Sequence, residues 1–98
     1  MTMQLCATSR GFARIEFTDR YGVPCSLQES SLATEAAIWL GCNEADPKHL
    51  VSGQGWVPVA MPAEYVANTR MHLTRDQVVE LIAVLQRWVD TDLLEVTT

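Results

Sequence analysis

Hydrophobic and polar positions alternate most regularly between Phe12 and Asp19. Ala13, Ile15 and Phe17 fall on one side of an extended backbone and Arg14, Glu16 and Thr18 on the other, the period of two that marks a half-buried strand. Asp19-Arg20-Tyr21-Gly22 supplies an acidic residue to open a turn and a glycine where a positive φ is needed. Val23, Cys25 and Leu27 then alternate with Pro24, Ser26 and Gln28, so the spacing predicts an antiparallel hairpin. Pro24 has no N–H for a ladder and belongs at the start of its strand or on an unpaired side. Ala36–Gly41 predicts a third strand with Ile38 and Leu40 inward and Trp39 outward. Arg70-Met71-His72-Leu73 predicts a short fourth, with Met71 and Leu73 inward.

The strongest pattern comes next. Thr74-Arg75-Asp76-Gln77 is a capping box, in which Thr74 accepts from the Gln77 amide and Gln77 reaches back. Val78, Leu81, Ile82, Leu85, Trp88 and Val89 then recur at steps of three and four, which predicts an amphipathic helix over 75–90 with Trp88 in the core. From Cys42 to Pro62 the periodicity dissolves among Asn43, Asp46-Pro47, Gly53-Gln54-Gly55 and Pro58. This stretch reads as a long variable loop, and a loop of that length in a small domain is either functional or mobile. Pro62–Ala67 is compatible with a helical turn. Residues 1–10 read as an N-terminal tail, and Met1–Ser9 has no lysine, arginine or sustained apolar core, so it is not a secretory signal. The elements add up to an α+β fold: a small antiparallel sheet of three to four strands (hairpin, third strand, long loop, short fourth strand) packed against one C-terminal helix.

Ninety-eight residues make a single domain, 1–98. A composition of 48% hydrophobic and 19% charged residues excludes intrinsic disorder. No stretch approaches the roughly 20 apolar residues of a membrane span, so no membrane association is expected. Seven basic residues against twelve acidic give a net charge of −5, the opposite of what gripping nucleic-acid phosphates requires. The acids are scattered, as on a solvated surface, and not massed as in a mimic of DNA. Cys6, Cys25 and Cys42 match neither a disulfide framework nor a metal ribbon. They read as reduced thiols, with Cys25 a small core residue.

Catalytic signatures are missing. The two histidines, His49 and His72, belong to no zinc motif; Gly53-x-Gly55 lacks the strand and lysine of a phosphate loop; and Ser30-Ser31 lies outside any nucleophile elbow. The sequence therefore predicts no catalytic residue, no metal and no cofactor, and a protein that is not an enzyme. The outward sheet face is more promising. It displays Arg14, Trp39, Arg70 and His72 beside Glu16, Ser26 and Gln28, a set able to hold an anion with a planar ring. Arg75, at the helix start, is a candidate to join them, because helix N-termini offer free amide donors. Trp56, in the long loop, is the candidate anchor for a protein partner; capping the sheet or building a dimer are its other uses.

Four strings carry a resemblance: Arg14-Ile15-Glu16-Phe17-Thr18-Asp19-Arg20-Tyr21-Gly22, Cys25-Ser26-Leu27-Gln28, Ile38-Trp39-Leu40-Gly41 and Arg70-Met71-His72-Leu73-Thr74-Arg75-Asp76-Gln77-Val78. Together they resemble a family of small orphan proteins of tailed bacteriophages and prophages, over about Gly11 to Leu94. No functional residue carries over from that family. What the resemblance implies is a setting, the cytoplasm of a bacterial host, where small phage proteins often serve as accessory factors or inhibitors of host defence. The expectation is thus a non-catalytic accessory binding protein acting in counter-defence. Its partner would be a host defence protein or a small nucleotide-like ligand. The alternative is a homo-oligomeric structural or assembly piece, and a small enzyme completed across a dimer through His72 is a third.

Overall fold

The computed structural model describes residues 3–96; the ends of the predicted domain and the first two residues of the predicted tail lie outside it. Among the described residues seven strands precede one helix: β1 (Gln4–Ala7), β2 (Ala13–Thr18), β3 (Pro24–Glu29), β4 (Ala37–Cys42), β5 (Lys48–Val51), β6 (Gly55–Pro58), β7 (Arg70–Thr74) and α1 (Arg75–Thr91). Five form an antiparallel sheet in the order β1-β2-β3-β4-β7, and β5 and β6 pair separately as a two-stranded sheet. The α+β class expected from the sequence is the one found.

The central hairpin forms as its alternation requires. Asp19 and Gly22 close its turn: the Asp19 carboxylate accepts from the Tyr21 and Val23 amides at 2.8 and 3.0 Å, and Gly22 takes φ 80°. Pro24 opens β3, as a residue without an N–H should. Facing residues run in registered rows. Ile15, Leu27, Leu40 and Met71 form one on the apolar side, and Phe17, Cys25 and Cys42 another.

The sheet is larger than predicted. Part of the expected tail is β1, paired along its length with β2. A tight turn joins the two: the Gly11 amide donates to the Thr8 carbonyl at 2.9 Å, and the Thr8 hydroxyl accepts from the Phe12 amide at 3.1 Å. The expected 42–62 loop contains the β5–β6 hairpin, with Gly53 and Gly55 at φ 82° and 77° turning the chain. In place of a helical turn, Pro62 accepts one hydrogen bond from the Tyr65 amide, and the chain then runs without regular structure to β7.

The helix brings the main correction. Its capping box is present, with Thr74 Oγ1 accepting from the Gln77 amide at 3.2 Å and Gln77 Oε1 from the Thr74 amide at 2.9 Å. Yet α1 does not cover the apolar face of the sheet; it meets the sheet chiefly along β7. The cause is local. Thr74 is both the last residue of β7 and the helix cap, so no linker exists to fold the helix back over its own sheet. No residue of α1 is buried, and Trp88, expected in the core, is 51% exposed. Among the described residues Cys25 is the one buried apolar side chain. No helix among the described residues is long and apolar enough to cross a membrane.

Candidate functional site

The opposite, polar face of the sheet carries the chemistry. Register sets Arg14, Gln28, Trp39 and His72 side by side across β2, β3, β4 and β7. The next row is Glu16, Ser26, Gly41 and Arg70. Gly41 is decisive in that row. With no side chain on β4, the Arg70 side chain crosses the strand, and its Nη1 donates to Gln28 Oε1 at 2.9 Å and Ser26 Oγ at 3.3 Å on β3. Gly41 also lies unusually close to β7 at φ 150°: a Cβ there would meet Arg70 Cα at 2.8 Å and press on the Thr69 carbonyl oxygen.

Gln28 Oε1 is shared. It accepts from Arg14 Nη1 at 3.0 Å as well, while Arg14 Nε donates to Glu16 Oε1 at 3.1 Å. The two guanidinium groups are thereby held over one amide oxygen, and Ser26 lies wholly buried beneath them. Arg14 has Glu16 as an ion-pair partner; among the described residues no carboxylate pairs with Arg70. Two arginines against one glutamate leave this face locally positive on a chain of net charge −5. Trp39 and His72 stack with ring centroids 3.8 Å apart and planes 8° from parallel, and Arg70 Cζ lies 5.9 Å from the Trp39 ring centre. His72 Nε2 is fixed at 2.9 Å from Ser30 Oγ.

Beside the stack lies a cleft of about 220 Å³ lined by Trp39, Asn43, Ala67, Asn68, Thr69 and Arg70. Thr69 ties its floor to β4 through a 2.7 Å hydrogen bond from its hydroxyl to the Cys42 carbonyl. Asn43 Oδ1 is buried without a hydrogen-bond partner among the described residues. An orphan acceptor of this kind costs about 1–3 kcal/mol and is relieved by any ligand N–H or O–H that reaches it.

Four of the six residues singled out from sequence, Arg14, Trp39, Arg70 and His72, stand together on this face. The other two do not. Arg75 lines a separate 370 Å³ hollow with Ile38, Leu73 and Val78, residues of the apolar side. Trp56 sits on β6 of the two-stranded sheet, 68% exposed. Sequence reasoning missed Gly41 and Asn43. The glycine inside a strand signals close backbone approach, whereas nothing local to Asn43 announces its cleft.

The thiols lie elsewhere. Cys25 and Cys42 face each other across β3 and β4. Burial, with the Cys42 thiol alongside, pushes the Cys25 thiol up from its ordinary value. Among the described residues no three His, Cys, Asp or Glu side chains gather to hold a metal ion. No protein-family model, curated protein or solved structure compared with this chain matches it, so the geometry of the polar face carries the functional argument.

Proposed function

We propose that this is a non-catalytic binding protein whose polar sheet face captures a small anion bearing a planar ring, of the nucleotide class. The observation that carries this reading is Arg70. It is laid across Gly41, oriented by Ser26 and Gln28, left without a carboxylate partner and set against the Trp39–His72 stack. A guanidinium uses its fixed fork to hold a phosphate, and a tryptophan beside it supplies a stacking surface for a base. Asn43, one of the residues lining the adjoining cleft, carries an oxygen without a partner among the described residues, an acceptor for a ring N–H. The protein's own network engages two of the five guanidinium N–H groups of Arg70, both on Nη1, so three remain to hold a phosphate.

The resemblance to phage proteins supports placing this capture in a bacterial host, where withdrawing a nucleotide-like signal would serve counter-defence. Calorimetric titration with mononucleotides and the matching nucleosides tests the chemistry. Binding that requires the phosphate and is weakened about tenfold or more in Arg70→Ala and Trp39→Ala supports the reading. Equal heats for nucleoside and nucleotide would sink it, as would binding unaffected by both substitutions.

A further inference from the structure

We infer that this chain folds and works as a homo-oligomer, in which a second copy supplies the layer missing from the apolar face of the sheet. A compact monomer of 10.9 kDa exposes about 5,600 Å², and this chain exposes 8109 Å². The surplus of about 2,500 Å² per chain is some three times what one partner loses in a standard interface, and it falls in the range of obligate homodimers. The radius of gyration says the same: it is 16.8 Å against the roughly 13 Å expected of a compact chain of this length.

What is exposed is the material of a core. Ile82, Leu85, Trp88 and Val89 on α1 are 61, 47, 51 and 68% exposed, and Leu5 and Met71 on the sheet are 75 and 55% exposed. Both halves of a two-layer sandwich are present in one chain, an apolar helix stripe and an apolar sheet face. The linkerless join at Thr74 keeps them off each other. Their sizes match, because 17 helical residues span about 25 Å and five strands about 19 Å between centres.

The occupant is another copy and not a foreign protein for a physical reason. With Cys25 as the one buried apolar side chain among the described residues, the isolated chain has almost nothing to fold around. The partner must be at hand in equal supply as the chain is made, and only the chain itself is guaranteed to be. The polar face carrying Arg70 stays free in such an assembly, so this inference stands independently of the ligand.

Native mass spectrometry and sedimentation equilibrium of the full chain at low micromolar concentration test it. The expected mass is that of two or more whole copies of the chain. The double substitution Leu85→Glu with Val89→Glu should abolish that multiple, and Arg70→Ala, on the other face, should keep it. A wild-type monomer that unfolds cooperatively would overturn the inference, as would a mass made of one chain plus a different protein. The wild-type result decides the matter even where the double variant does not fold.

Discussion

Arg70 reaches β3 only because position 41 has no side chain, so Gly41 and Arg70 form one device. Gly41→Val sets a branched side chain against the Thr69 carbonyl and Arg70 Cα and closes the path of the guanidinium. Overpacking of this kind costs about 1–3 kcal/mol; urea denaturation should show that loss together with weakened nucleotide binding. Arg70→Ala should leave the fold intact and weaken nucleotide binding by about 10- to 100-fold, the worth of one charged hydrogen-bonding group; titration calorimetry measures it. The Cys25 thiol gives a prediction with a definite sign. Its folded value is raised by burial and by Cys42, so the native state holds this proton more tightly than the unfolded chain does. Stability from this group is therefore complete below the unfolded thiol value and is lost as pH rises from the ordinary 9.0 through the raised folded value. Urea midpoints should fall on the alkaline side of pH 9, and less so in Cys25→Ala. At neutral pH a thiol reagent should modify the exposed Cys6 first and Cys25 last.

At the scale of elements, Thr74 holds the fold's most consequential junction. It ends β7, caps α1 and exchanges hydrogen bonds with Gln77 in both directions. Thr74→Ala should cost about 1 kcal/mol, read from urea or thermal unfolding, with Thr74→Ser recovering most of it. The same junction marks where the sequence stops being informative. Alternation revealed the β2–β3 hairpin, β4 and β7, and because side chains alternate with period two it also set Arg14, Trp39, Arg70 and His72 on one face. The capping box fixed the helix start. Gln4-Leu5-Cys6-Ala7 is too short to display a period, and Lys48-His49-Leu50-Val51 does not alternate, so β1 and β5 could not be read. Periodicity reports that a stripe is apolar but not what lies against it; Trp88 was expected in a core that this chain does not build alone. Arg75 sits where the helix begins, but on the apolar side. Which residues share Gln28 depends on strand order, and the approach of Asn43 to Asn68 depends on the path of a long connection. Neither is encoded in local pattern.

At the scale of the whole molecule, one sheet presents two unlike faces. One is polar, locally positive and cross-braced through Gln28 and Ser26; the other is apolar and, in a single chain, uncovered. The division of labour that follows is assembly on one side and capture on the other. Assembly linked to folding makes the thermal midpoint rise with protein concentration, which scanning calorimetry over a hundredfold dilution series should show. Capture is the central claim, and its most direct measurement is a calorimetric titration of the wild-type protein with a panel of purine and pyrimidine nucleotides, linear and cyclic, beside their neutral nucleosides. The account predicts saturable binding of at least one nucleotide, absent for its nucleoside and weakened about tenfold or more in Arg70→Ala and Trp39→Ala variants that keep the wild-type fold. Nucleotide affinity unchanged by both substitutions, or no binding across the panel, would contradict it.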